Sequence, residues 1–304
     1  MTAQEAIIEV YEAIGEPSDL PIYDAGGAFS IVAEGSIRIL AALNRAQDYV
    51  STYRVRGVKP KYFRCMEGAA TFEPVTVSGT LGAQTSPYKT ILLPAAFNAS
   101  ATGRFDGWTY DDGVEVRRVL RHVNVGGVSS IVLDKALPAT PEARVVTLRQ
   151  TKFRLGSGVD EVAVGRNVLD VIRLFDLETN GELERVEDSV SISTLVAGVG
   201  TPGSYIKQRQ GFTFDIAADD ARSFEVHFYA YPAEVVGAAD EFALPEAFHT
   251  PIVLWASWWG FRRYMETTQA YATKRDFQDM MATLVDEVDA EDLFGGDSLR
   301  PIVK

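Results

Sequence analysis

The sequence predicts an α+β protein in which N- and C-terminal helices pack as a helical bundle flanking an antiparallel β-sandwich or β-barrel insertion. Three observations carry that prediction. Apolar residues recur at helical spacing near both ends of the chain, the middle alternates apolar and polar residues between glycine- and asparagine-rich turns, and 46% of the 304 residues are apolar, enough to bury a sizeable core.

Thr2 and Glu5 have capping-box spacing, and Ala3, Ile7, Val10 and Ile14 follow at helical intervals until Gly15 and Pro17 end the pattern. Residues 15–35 show no period but hold Leu20, Ile22, Tyr23 and Phe29, which need burial, so they read as an ordered loop. Ser36 is the expected N-cap of a second helix, whose stripe Ile39, Leu43, Ala46, Val50 and Tyr53 leaves Arg38, Arg45, Gln47 and Asp48 outside.

After Gly57 the pattern is that of strands. Gly126-Gly127 between Val114–Val125 and Val128–Leu133 predicts a hairpin, because two glycines supply the positive φ angles of a primed turn. Asn180-Gly181 predicts a second one, between Val168–Leu177 and Leu183–Ile192. Phe212, Phe214 and Ile216, then Phe224, Val226 and Phe228, alternate as half-buried antiparallel strands do. About ten strands fit between residues 70 and 232, sufficient for two small sandwiches or barrels, and Gly156-Ser157-Gly158 interrupts the pattern near their boundary.

Pro245-Glu246 restarts a helix, with proline in the first turn and an acid at the positive end of the dipole. Ile252, Trp255, Trp259 and Arg263 share one face, Tyr271, Phe277, Met281, Leu284 and Val288 form the inside of a following helix, and the turn falls around Glu266 to Thr268. The chain is therefore read as an N-terminal helical part (1–60), an inserted β lobe (61–147), a second β part (148–240), a C-terminal helical hairpin completing the bundle (241–289) and an extended tail (290–304).

Composition excludes several functions. A net charge of −13 opposes general nucleic-acid binding, which needs surplus cations. A single cysteine, Cys65, excludes an intramolecular disulfide or a paired-thiolate zinc site. The apolar run Ile252–Phe261 is far shorter than the roughly 20 residues of a membrane span, and the start lacks a secretory signal, so no membrane partner is expected. Phosphate-cradle, dinucleotide, nucleophile-elbow and zinc-helix motifs are missing, and no catalytic residue, metal or cofactor is expected. His249 with Glu246 forms one Glu-x-x-His pair, where a dimetal site needs two; the pair reads as the start of a helix. His227 reads as solvent-facing, and Asp106, Asp111 and Asp112 around Trp108 as a solvated turn whose spacing does not fit a calcium loop.

Four stretches match a known pattern: Leu43-Asn44-Arg45-Ala46 in the second helix, Val168-Leu169-Asp170-Val171-Ile172, Gly200-x-Pro202-x-x-Tyr205 followed by two strands ending at Tyr231-Pro232, and Leu244-Pro245-Glu246-x-x-His249. In that order they resemble the head-to-tail adaptor, or connector, proteins of tailed bacteriophages, over most of residues 1–60 and 150–290. Residues 70–147 are a large addition compared with the compact members. The resemblance implies a structural virion protein, not an enzyme, made in the bacterial host cytoplasm and placed in the neck. It would form a homo-oligomeric ring, a dodecamer, between the portal protein and a tail or nozzle protein, with genomic DNA passing through the lumen without sequence-specific binding.

Three groups of residues are candidates for these contacts. Leu293, Phe294, Leu299, Pro301 and Ile302 in the terminal segment are expected to dock on the portal, since in related adaptors a terminal segment meets it. Arg54, Arg56, Lys59, Lys61 and Arg64 concentrate five cations in an acid-free stretch, for DNA phosphates or an acidic partner. Trp255, Trp258 and Trp259 cannot share one helical face, so at least one is expected to be exposed and covered by a neighbouring subunit. The alternative is a carbohydrate- or surface-binding β module of a phage tail, with Trp108, Tyr110 and Asp106 forming a sugar site.

Overall fold

The computed structural model describes residues 1–53, 66–156, 161–163, 168–186, 198–208 and 211–294, without the side chains of residues 163 and 286–294. The chain is a mixture of helices and mainly antiparallel strands, and it divides into two compact units: residues 1–66 with 231–304, and residues 67–230.

The first unit is built on four helices, α1 (Ala3–Ala13), α2 (Glu34–Ser51), α3 (His249–Arg263) and α4 (Thr267–Phe294). Thr2 and Glu5 form the expected reciprocal capping box, in which the Glu5 N–H donates to the Thr2 hydroxyl and the Thr2 N–H to the Glu5 carboxylate. Ala3, Ala6, Ile7, Val10 and Tyr11 are the buried face of α1. α2 begins three residues earlier than expected, with Ala33 at the N-cap position, and Ser36 lies buried inside its first turn instead of capping it. The cause is Gly35. Its N–H donates to the Pro21 carbonyl, and a Cβ there would stand 2.3 Å from the Leu20 carbonyl oxygen, so only glycine lets the preceding loop lie against the helix start.

The stripe Ile39, Leu43, Ala46 and Val50 is buried as expected, but Tyr53, its expected last member, lies half-buried beyond the helix end at Ser51, and Gln47 is not outside it. Gln47 is 1% exposed; its amide donates to the Ala233 carbonyl and accepts from the Ala243 N–H. One turn earlier Asn44 donates to the Val235 carbonyl and accepts from the Val235 N–H. Two carboxamides on α2 thus hold the segment leading into α3, replacing the ladder partners an irregular segment lacks.

α3 buries Ile252, Val253, Ala256, Ser257, Gly260 and Phe261; of the residues expected to share a face with Ile252, Trp255 and Trp259 are half-buried and Arg263 is exposed. The helical turn falls at 264–266, two residues before the expected position, with Met265 at φ 59°. Phe277 and Met281 of α4 are buried, Leu284 is half-buried, and Val285 takes an inner position. Tyr271 is 71% exposed, because the inner face follows Ala270, Phe277 and Met281 and leaves residue 271 about 100° away from residue 270. The Val288 side chain lies outside the described ones. α4 continues to Phe294, so residues 290–294 are helical where an extended tail was expected.

The second unit carries two cores. Strands β2 (Thr76–Thr80), β3 (Thr90–Leu92), β4 (Thr109–Asp111), β5 (Val116–Val125), β6 (Val128–Leu133) and β7 (Val145–Arg149) form one antiparallel sheet in the order β2-β7-β4-β5-β6-β3. It covers Ile91, Phe97, Phe105, Trp108, Tyr110 and Ile131. The β5–β6 hairpin turns at Gly126-Gly127, whose φ angles of 60° and 80° are those the sequence demanded.

Strand β1 (Glu67–Phe72) belongs to the other core, in a sheet of order β1-β17-β10-β11 with β10 (Val168–Asp176), β11 (Gly181–Glu182) and β17 (Phe224–Ala230). A five-stranded sheet adds β8 (Lys152–Gly156), β9 (Glu161–Ala163), β12 (Glu184–Val186), β14 (Ser204–Gln208) and β15 (Gly211–Phe214), and β13 (Val199–Gly200) pairs with β16 (Ala217–Ala218). Phe72, Phe153, Phe212, Phe214 and Phe224 interlock with ring centroids from 4.6 to 6.5 Å apart. Three departures from expectation stand out. β12–β14, β8–β9 and β13–β16 are parallel pairs in an otherwise antiparallel region. β15 is buried on both faces, as a central strand, where half-burial was expected. The turn at Asn180 leads into only two paired residues before the chain leaves to join β14, and residues 187–192 of the expected return strand lie outside the described residues. The Gly156 interruption separates β8 from β9 within one core; the passage between cores occurs at Gln150-Thr151.

Candidate functional site

The helical unit presents an aromatic cleft. Tyr49 on α2, Trp255 and Trp258 on α3, and Lys274, Phe277 and Gln278 on α4 line a space of about 180 Å³. Helical spacing builds it: 255 and 258 lie one turn apart on α3, as do 274, 277 and 278 on α4. Trp255 and Trp258 pack edge to face at 5.6 Å, Tyr49 lies 6.0 Å from Trp255 and 5.9 Å from Phe277, and Tyr53 closes the back with a T-shaped contact to Phe277 at 5.7 Å. Two cations lie over Trp258, with the Arg262 guanidinium 5.1 Å and the Lys274 ammonium 5.8 Å from its ring centroid. Burial, then the neighbouring Tyr49, pushes the Tyr53 phenol up, so it stays protonated. The lining offers apolar area, an amide and an ammonium.

Trp255 and Trp258 meet here, whereas Trp259 does not line the cleft. All three are half-buried and none is fully exposed, because Tyr49, Phe277 and the two cations share the covering of the pair. Tyr49 escaped the sequence reading. Its only signal is Tyr49-x-x-x-Tyr53, a one-turn spacing just beside the buried stripe of α2.

Arg54, Arg56, Lys59, Lys61 and Arg64, and Cys65 beside them, lie outside the described residues, as do Leu299, Pro301 and Ile302; Leu293 and Phe294 have helical backbone but undescribed side chains. His249 opens α3 and is buried, with Nε2 2.9 Å from the Leu244 carbonyl oxygen, while Glu246 is exposed. His227 is half-exposed beside Glu225. Among the described residues no cluster of three or more histidine, cysteine or acidic side chains is arranged to hold a metal.

The aspartates near Trp108 are not one solvated turn. Asp112 is buried and accepts from the Val114 and Glu115 N–H groups, the Tyr110 hydroxyl and the Arg144 guanidinium. Burial raises its pKa, but these donors together outweigh that and hold the carboxyl below the usual range. Burial also pushes the Tyr110 phenol up. Trp108 and Tyr110 are 1% and 0% exposed, so they offer no stacking platform for a sugar. The polar cleft beside Trp108, about 410 Å³, is lined by Arg104, Asp106, Lys152, Arg154 and Glu161.

Among the described residues no helix is long and apolar enough to cross a membrane. No match to a curated protein was found. The family model described as SU10 adaptor protein matches residues 129–300, more than half of the chain. The matched region includes Val168–Ile172, Gly200–Tyr205 and Leu244–His249 and leaves out Leu43–Ala46. With this match running from β6 to the last helix, the chain belongs to the SU10 adaptor protein family, a family of phage structural adaptors.

Proposed function

We propose that this protein is the ring component joining the capsid portal to the tail, with genomic DNA passing through the lumen. The observation that carries the reading is the adaptor-family match over a region that ends in α3 and α4, the helices packed with α1 and α2 from the other end of the chain. In this reading the helices contributed by both ends of the chain form the ring body, and the 67–230 unit is an insertion between them in the sequence. Heterologous contacts that close by rotation make such a ring, a dodecamer in this reading, without catalysis. The half-buried Trp255 and Trp258 are its subunit-contact candidates, together with Trp259.

Leu293, Phe294, Leu299, Pro301 and Ile302 would dock on the portal and the opposite face would meet the tail or nozzle protein, in the virion neck. Arg54, Arg56, Lys59, Lys61 and Arg64 would be local contacts to phosphates or an acidic partner in a body whose net charge of −13 limits sticking of DNA in the channel. The competing sugar-binding reading loses its aromatic platform to burial. Native mass, measured alone and with portal, tests the proposal: a closed oligomer or a stoichiometric portal complex is expected, and a monomer indifferent to portal would overturn it.

A further inference from the structure

The helical unit has two flanks of opposite character. On α1 the exposed residues Glu5, Glu9 and Glu12 fall within about 60° of one another at 100° per residue, diametrically away from the buried face, and the exposed Glu16 follows just beyond the helix end. Glu5 is used by the capping box, whereas Glu9, Glu12 and Glu16 have no ion-pair partner among the described residues. On α4 and the end of α3 the exposed surface carries Tyr271, Lys274 and Arg262 around the aromatic cleft; Lys274 and Arg262 reach only the Trp258 ring among the described residues. These flanks lie on nearly opposite sides of α3. Gly260 faces α1, where a Cβ would come 2.6 Å from Ile14 Cγ2, while Trp258 faces α4 through Lys274, and two residues along a helix turn it by about 200°.

We infer that the α1 acidic ridge of one copy docks on the cleft formed by Tyr49, Trp255, Trp258 and Phe277, rimmed by Lys274 and Arg262, of a second copy. Charge complementarity selects this occupant: acids without an ion-pair partner among the described residues on one flank match cations held only over the Trp258 ring on the other, in a chain with 42 acids against 29 cations. Placement on opposite sides of α3 makes the contact head-to-tail, so each copy keeps one free flank and the array can propagate until it closes. Ala13, exposed beside Glu9 and Glu12, lets the ridge approach the aromatic floor. The inference rests on the ring reading and adds its polarity and contact residues.

Cysteine cross-linking in a Cys65→Ser background separates the two. Glu12→Cys and Lys274→Cys proteins, both at exposed positions and checked for wild-type melting, are mixed under mild oxidation alongside the assembled wild type. Disulfide dimers are expected in the mixture at least ten-fold above either protein alone, and Glu9→Lys with Glu16→Lys added to the first partner should remove them. An assembled wild-type oligomer without mixture-specific cross-links would overturn this contact while leaving the ring intact. A monomeric wild type without cross-links would overturn both.

Discussion

At the scale of single residues, burial and pairing decide which polar groups matter. Asn44 and Gln47 each serve a backbone segment that has no sheet partner at those positions, so truncation leaves the Val235 or the Ala233 and Ala243 groups unsatisfied. Asn44→Ala and Gln47→Ala should each cost about 1–3 kcal/mol in denaturant unfolding, and the exposed Arg45→Ala within about 0.5 kcal/mol. His122 gives a pH dependence. Its ring is fully buried against Phe105, with Ser129 Oγ 3.3 Å from Nε2. Burial depresses its pKa, opposed by Asp106 and a hydrogen bond to the Ala101 backbone and aided by Arg104. The unfolded chain then binds a proton that the folded chain refuses, so stability is full above the unfolded value near 6.5 and falls as pH drops below it. Thermal melts at pH 7.5 and 5.5 should differ more for wild type than for His122→Leu; equal pH sensitivity would remove the assignment. Asp112 acts lower on the scale: its stabilisation is present above the ordinary carboxylate range and is lost as pH falls through its depressed folded value.

At the scale of elements, what the sequence made legible was whatever rests on local rules. The capping box, the Gly126-Gly127 hairpin, the α2 stripe and the alternation of β17 depend on residues within a few positions of each other, and each appears where the pattern put it. What the pattern missed depends on distant neighbours. Gln47 is polar by type yet buried by an irregular segment almost 200 positions away, and Ser36 is a fitting cap displaced because Gly35 admits the Leu20 loop. Tyr49 belongs to the cleft only because α3 and α4 arrive beside α2. Gly211 is a similar case within the sheets. A Cβ there would lie 1.9 Å from the Phe153 carbonyl oxygen, so Gly211→Ala must force β15 from β8 and loosen the Phe153–Phe212 stack. Loss of near-ultraviolet ellipticity and a drop in melting temperature are expected. Gly113→Ala, at an open turn with φ 79°, should cost only the roughly 1–2 kcal/mol of a left-handed alanine.

At the scale of the whole molecule, the portal-docking proposal makes the last prediction, and α4 sets its terms. The buried anchors of that helix among the described side chains are Ala270, Phe277, Met281 and Val285, all before residue 290. Removing residues 290–304 therefore strips the last helical turn and the segment beyond it while leaving all of these anchors in the chain. The truncated protein should retain its circular-dichroism spectrum, melt within a few degrees of the full chain and still self-associate, because neither the α1 ridge nor the aromatic cleft is altered. Its co-purification with portal should be lost, since a short apolar segment that orders on docking contributes affinity only if it is present to fill the partner's groove. Retained portal binding by the truncated protein would move docking to another surface. Loss of self-association as well would show that the terminal segment holds subunits together instead of holding the ring to the capsid.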